Sequence, residues 1–475
     1  SQRDWLLGLM EGVEDIPGTA LAEGIDWAWE SFPEYLDALD RSPRVMDIAT
    51  QVPHGAVRAY VMGERAITDV AASAEERNAM ANIVGEAIGA GALGFSTSRT
   101  VLHRSVDGEL VPGTEADAQE LLDTAKALGA NGGGVFEVAT DLAPESAELG
   151  WMDRIIDETG CAVTYACVQN DEDPLQWRRL LDYAAKRGSG MYPQVAIRPP
   201  GVLMCLDGTH PFTGRPSYLA IADLPLSARV IEMRKPEVRA SILAEAGDHP
   251  ARLLRLLFME GKAMRSTIRD YDRLFVLGDP PNYEPSPERS ITSIAASKNI
   301  SEEQAAYDLL LENEGKNFLY SPLFNYNAGN YDAAQEMMTH PNTILGISDG
   351  GAHCGIICDA SAPTYLLAHF VRDRQRGPKI PLEQAVKMQT FDTAKLYGLS
   401  DRGSITPGKR ADLNLIDLDN IRLPIPVMVN DLPADGQRLI QRAYGYELTM
   451  VNGCVTFESG QHTDELPGRL VRNHQ

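Results

Sequence analysis

The chain has 475 residues, 44% hydrophobic, 23% charged and 7% aromatic, with 43 Lys plus Arg against 67 Asp plus Glu and a net charge of −24. These are globular values, so a disordered or fibrous chain is excluded and a sizeable core is expected. The acidic excess repels phosphate backbones and anionic lipid, so the expected partner is a small molecule, with no nucleic acid and no membrane.

The length exceeds one ordinary domain, although a single α/β barrel absorbs about 250 residues. No apolar run approaches the ~20 residues of a membrane span. Asp4, Glu11, Glu14 and Asp15 are wrong for a signal peptide. With no initiator Met and an immediate amphipathic stretch from Trp5 to Met10, Ser1 reads as a cut start. Six Cys without framework spacing point to free thiols and a cytoplasmic location.

Short β-type runs alternate with amphipathic helices through about residue 200. Strands are expected at 45–52, 92–95, 135–139, 161–168 and 192–197, and much later at 342–347. Ser73 and Glu76 form a capping box before Met80, Ile83, Val84, Ala87 and Ile88, which share one helix face. Ala118, Leu121, Leu122, Ala125 and Leu128 make a second such face, and Ser301 with Gln304 caps a later helix. Strands alternating with helices require right-handed crossovers and a parallel sheet, either a closed barrel or an open doubly wound sheet. No G-x-G-x-x-G or P-loop supports the open sheet. Polar residues after the strands (His54, Ser96, Glu137, Arg198, Asp349) suit a barrel, whose site lies at that end. Residues 199–287 are rich in Pro, Gly and Arg and break the rhythm, which predicts an insertion over the site. From 403 the chain turns to β-structure. Residues 411–417 alternate like a strand, and Asn452-Gly453 supplies the turn of a hairpin.

Among nine His there is no H-x-H, H-E-x-x-H or C-x-x-C, so strong metal signatures are absent. The most informative segment is Gly346-Ile347-Ser348-Asp349-Gly350-Gly351-Ala352-His353. An Asp at a barrel strand's end can take a proton from water, or it is one half of an Asp-Gly turn. Gly346-x-Ser348-x-Gly350 also matches the nucleophile elbow of serine hydrolases, which wants a helix directly after the Ser. Cys354 and Cys358 read as a soft-metal pair or as packed thiols. Arg198 could hold a substrate carboxylate through its planar fork or sit in a salt bridge. Asn325, in Phe324-Asn325-Tyr326-Asn327, belongs to a substrate loop or a plain turn.

With Ile347 to His353 and Gly408-Lys409-Arg410-Ala411-Asp412-Leu413, the chain resembles the amidohydrolase superfamily and, within it, the D-aminoacylase (N-acyl-D-amino-acid deacylase) branch. Residues 9–17, Gln51-Val52-Pro53-His54-Gly55 and Gly91 to Ser98 add to the likeness. It implies a metal-dependent TIM-type (β/α)8 barrel (residues 1–402) with a small β-sandwich (403–475). The implied chemistry is hydrolysis of an N-acyl amino acid by a zinc-activated water, with one or two zinc ions in the complete protein. Asp349 would be the proton shuttle and a metal ligand, with Arg198, Asn325, Ser348 and His353 around the substrate. The family's H-x-H pair and upstream Cys are not in this chain, and two barrel strands with part of the sandwich are expected ahead of Ser1. Near the positions of the branch's two strand histidines stand Glu137 and Cys167, so either these substitute as ligands or the metal site is reduced and mononuclear. Open strand edges predict association, as a homo-oligomer or with a segment carrying the missing strands. The competing expectations are a serine hydrolase using Ser348 and a non-catalytic barrel with a degraded metal site.

Overall fold

Helix starts follow the side-chain chemistry of their first turns. In the computed structural model, which describes residues 2–68, 71–245, 271–348 and 350–473, Ser73 Oγ accepts the Glu76 N–H at 3.2 Å. The Glu76 carboxylate accepts the Ser73 N–H at 2.8 Å in return. This reciprocal box opens the helix Ala74–Gly89. Ser301 and Gln304 do the same for Glu302–Leu310, and Asp117 caps Ala118–Ala130. Met80, Val84, Ala87 and Ile88 of the first helix are buried, as are Leu121, Leu122, Ala125 and Leu128 of the third.

The strands in chain order are β1 (Val52–Pro53), β2 (Gly94–Arg99), β3 (Val135–Thr140), β4 (Ala162–Ala166), β5 (Met191–Ala196), β6 (Gly201–Met204), β7 (Phe275–Val276), β8 (Leu319–Pro322) and β9 (Ile344–Gly346). One parallel sheet runs β1–β2–β3–β4–β5–β9. Its order never reverses, so it has no doubly wound switch point. Its two faces also differ. Phe95, Phe136, Val138, Val163, Tyr165 and Val195 join the large core beneath the helices. The alternate positions Ser96, Ser98, Glu137, Ala139 and Ala166 are only half-buried. A parallel sheet covered on both faces would be apolar on both. One helix-covered face and one wet inner face make the wall of the expected TIM-type barrel.

Between β5 and β9 the chain leaves the wall. β6, β8 and β7 form an antiparallel sheet with its own core, including Val202, Met204, Phe212, Tyr307, Leu310 and Leu319. The insertion expected at 199–287 overlaps this sheet, whose strands fall between Gly201 and Pro322, and its residues 246–270 lie outside the described residues. Ala305, Ala306, Leu309 and Leu310 of the helix begun at Ser301 bury into this second core. The strand expected at 45–52 is reduced to Val52–Pro53. Arg44 and Ile48 bridge instead to Pro467 and Leu470, because the chain's tail runs alongside them.

The C-terminal part carries β10 (Leu413–Ile416), β11 (Val427–Leu432), β12 (Gly436–Ile440), β13 (Tyr446–Val451), β14 (Cys454–Glu458) and β15 (Gln461–His462). They form the antiparallel sheets β10–β13–β14–β15 and β11–β12. Asn452 and Gly453 take φ of 51° and 78° at the β13–β14 turn, which closes the hairpin. Among the described residues no helix is long and apolar enough to cross a membrane.

His54 lies behind the sheet and not in the barrel mouth. It opens the helix His54–Met62 and is 1% exposed. Its Nδ1 is 2.8 Å from Thr97 Oγ1 and its Nε2 is 2.8 Å from Glu120 Oε1. Arg58 donates to the same carboxylate. Burial alone would raise the Glu120 pKa, but the hydrogen bonds from His54 and Arg58 hold it below the ordinary value. Glu120→Ala removes the carboxylate these two buried groups share. Breaking a buried pair costs about 3–5 kcal/mol, so the urea midpoint should fall with the m-value unchanged. A loss under about 1 kcal/mol would show that the cluster is only surface-like in strength.

Candidate active site

The inner face of the wall is organised around Glu137, the third residue of β3. Gln51 Nε2 donates to Glu137 Oε2 at 2.9 Å, and Gln194 Nε2, from β5, donates to Oε1 at 2.9 Å. The Gln194 amide also donates to Thr164 of β4 at 3.0 Å. Tyr397 reaches in from the chain after the last barrel helices and donates its hydroxyl to Glu137 at 3.5 Å. Burial, then the Glu137 charge, push the Tyr397 phenol upward, so it stays a donor. Gly346 of β9 completes the layer by leaving room. A Cβ there would fall 2.3 Å from Gln194 Oε1.

Above this layer the strand ends meet the helix Gln2–Glu14 and two loops. Ser98 Oγ, near the end of β2, lies 2.7 Å from His103 Nδ1. Burial, then the charge of His353, lower the His103 pKa to about 4, which keeps this imidazole neutral. His353 is held by its N–H, which donates to the Glu14 carbonyl at the end of that helix. Asp15 follows with φ of 52°, and Cys354 Sγ donates to its carbonyl at 3.4 Å. Burial, then the charge of Glu11, raise the Asp15 carboxyl to about 6. The mouth therefore gathers two imidazoles and carboxyls from separate stretches of chain.

The expected site residues separate into groups. Glu137 is in the lumen and His353 at the mouth, whereas Asp349 lies outside the described residues. Ser348 is half-buried just past β9, and the residues after it (350–358) form no helix, so the nucleophile-elbow pattern lacks the helix it needs. Arg198 is 2% exposed and donates to Asp359 at 3.0 and 3.1 Å and to the Cys358 carbonyl at 2.5 Å. Its guanidinium stacks 3.9 Å over Tyr283. Of its two expected roles, the structure shows the salt bridge. Asn325 is fully buried and its side chain accepts the Gln169 N–H at 2.6 Å, which ties the β4 loop to the insertion. Cys167, expected as a substitute metal ligand, is fully buried. It shares the parity of Val163 and Tyr165, faces the helices, and its thiol is pushed up to about 12 by burial.

Among the described residues no cluster of three His, Cys, Asp or Glu is placed to hold a metal ion. The Glu137 oxygens are taken by amides and a phenol, so the described donors do not fit a zinc site. Sequence reasoning passed over Gln51, Gln194, Tyr397, Ser98 and His103. Period-two alternation in β5 marks Gln194 as inward, and His103 stands four residues beyond β2, but neutral amides carry no motif.

Comparison with known proteins adds a family. The amidohydrolase family model matches residues 1–457. A D-aminoacylase of Alcaligenes xylosoxydans xylosoxydans is 25% identical over 464 residues, 96% of this chain and 76% of the relative. A crystal structure of D-aminoacylase superposes with a TM-score of 0.58 at 20% identity, over 96% of this chain and 78% of that one. An N-acyl-D-glutamate deacylase from Bordetella bronchiseptica, complexed with zinc and a phosphonate inhibitor that mimics the tetrahedral intermediate, gives 0.54 at 20% identity with the same coverage of 96% and 78%.

The mouth makes opposed contributions to stability. Asp15, raised from 3.8 to about 6, binds its proton more tightly when folded, so its contribution is lost as pH rises through about 6. His103, lowered from 6.5 to about 4, binds its proton less tightly, so its contribution is lost as pH falls from 6.5 through about 4. Relative to wild type, Asp15→Asn should gain most above pH 6, and His103→Gln should gain progressively below pH 6.5. Urea midpoints measured across this range check both. Differences that do not vary with pH would show that neither group is buried as described.

Proposed function

Because the chain belongs to the amidohydrolase family, a family of hydrolases acting on carbon–nitrogen bonds, we propose that it deacylates an N-acyl-D-amino acid by addition of water to the amide carbonyl. The observation that carries this reading is the match to a D-aminoacylase along 96% of the chain. The half-buried polar inner face, open where the strands end, is consistent with it. Asp349 follows β9 by three residues. In this reading it takes a proton from the attacking water and returns it to the leaving amine. His353 and Ser348 flank the same loop and contact the substrate. Arg198, paired with Asp359 through its Nε and Nη2, acts in this reading as a structural tie.

Zinc is bound by the Bordetella bronchiseptica relative, and zinc dependence is proposed for this protein on that ground. Glu137 is engaged by two amides and a phenol, and Cys167 faces the helices, so neither is placed in this reading as a ligand.

The test is turnover of a panel of N-acyl-D- and N-acyl-L-amino acids, with chelator and with a fluorophosphonate probe. The D series should be cleaved, chelator should abolish cleavage, and Ser348 should stay unlabelled. Asp349→Asn keeps the side-chain shape and removes the acceptor, so kcat should fall by about 10²–10⁴-fold while KM moves little. A variant that keeps more than about a tenth of wild-type kcat would remove Asp349 from the chemistry. Labelled Ser348 with chelator-resistant turnover would replace this reading by a serine hydrolase.

A further inference from the structure

Ser98 and His103 form a hydrogen-bonded pair with one donor to spare. Ser98 is half-buried on the inner face of β2 and pairs in register with Ala139 of β3. Ala139 lies two residues beyond Glu137, roughly 7 Å nearer the mouth at ~3.3 Å per residue. Ala139 and Ala166 are small, so the wall leaves space beside the Ser98 hydroxyl.

A hydroxyl and a neutral imidazole bring two hydrogens to their oxygen and nitrogen atoms. The 2.7 Å bond between Ser98 Oγ and His103 Nδ1 uses one of them, whichever tautomer is present. The other remains on Ser98 Oγ or on His103 Nε2. Among the described residues nothing accepts it, and His103 Nε2 is reached by solvent. The pair therefore offers one uncharged donor to whatever enters.

The charges around the pair are acidic. The charge of Asp141 reaches His103. The helix Gln2–Glu14 packs on the same loop, where a Cβ on Gly12 would fall 2.5 Å from the Arg104 carbonyl. Glu11, Glu14 and Asp15 stand at that end of the helix. The two cations of the segment are already committed. Arg99 donates to Glu148 at 2.9, 3.0 and 3.1 Å and to the Ala116 carbonyl at 2.8 Å. Arg104 donates to the carbonyls of Val101 and Gly108 at 3.0 and 2.7 Å.

Resting on the deacylase reading, we propose that Ser98 and His103 determine the substrate class: they donate to an uncharged oxygen of the amino-acid side chain and turn away a side-chain carboxylate. N-acyl-D-glutamine and N-acyl-D-asparagine meet this description, and N-acyl-D-glutamate and N-acyl-D-aspartate do not. A side-chain amide oxygen takes the spare donor and replaces its bond to water. A carboxylate in the same place faces Asp141 and the acidic helix end, and like charges brought together suppress the wrong ligand.

The test is kcat/KM of the full chain for N-acetyl-D-glutamine and N-acetyl-D-glutamate, which share a shape and differ in charge, with N-acetyl-D-leucine alongside. Wild type should prefer glutamine to glutamate by at least about tenfold. Ser98→Ala removes the donor, so the glutamine rate should fall and the ratio should shrink to within about threefold of one. His103→Lys adds a cation and should raise glutamate at least about tenfold relative to glutamine. A purely structural role would lower both substrates together and leave the ratio as it was. If His103→Lys does not fold, Ser98→Ala decides alone, because Ala matches the other small residues of the inner face. Glutamate cleaved as well as glutamine by the wild type, or a wild-type ratio in Ser98→Ala, would overturn the proposal while D-leucine turnover leaves the deacylase reading standing. No turnover of any of the three would remove both.

Discussion

One carboxyl group in the middle of β3 connects four parts of the chain. Glu137 accepts from Gln51 ahead of β1, from Gln194 in β5 and from Tyr397 beyond the last barrel helices. A parallel wall has no hydrogen bonds that cross its lumen, so side chains must supply them. Here they run through one hub whose acceptors are satisfied by neutral donors, an arrangement that rigidifies because a half-satisfied network in low dielectric is costly. The register that brings Glu137 opposite Thr164, and Ala166 opposite Gln194, is what lets the hub form. A one-residue slip would turn every one of these side chains outward.

The same parity argument explains what the wall can do. Outward positions are apolar and buried beneath the helices, so they set stability. Inward positions above Glu137 are small, with Ser98, Ala139 and Ala166 half-buried, so they leave space where the strands end. The loops carry the titratable groups into that space. His103 and Asp15 are held there with pKa values displaced in opposite directions, which is the kind of environment that active-site construction creates. The fold thus places its electrostatic cost at the mouth and its packing behind the sheet.

Much of this was legible from residue order. The capping boxes at Ser73 and Ser301, the periodic helix faces, the five parallel strands after the first and the Asn452-Gly453 hairpin depend on short-range rules, and short windows contain those rules. The barrel followed from alternation plus the absence of nucleotide motifs. Cys167 shows where such reading stops. Whether a residue at a strand's end faces metal or helix depends on parity, and a one-residue uncertainty in the strand boundary reverses the answer. Gln51 and Gln194 were invisible for a different reason. A glutamine has no signature until a partner 86 or 57 residues away is placed beside it. That Gly201–Met204 pairs with the distant Leu319–Pro322, with Leu309 and Leu310 in the same core, is likewise a tertiary choice.

Arginine was the residue type most open to misreading, and its partners show why. Arg198 stands after a strand and has the fork that a substrate carboxylate would want. Asp359 and the Cys358 carbonyl already take that fork, and Tyr283 covers its face. Arg374 is likewise consumed by Glu284 at 2.9 Å, deep beneath the insertion. A buried guanidinium with an aligned carboxylate has already spent the interactions that recognition would need, so it acts as a tie.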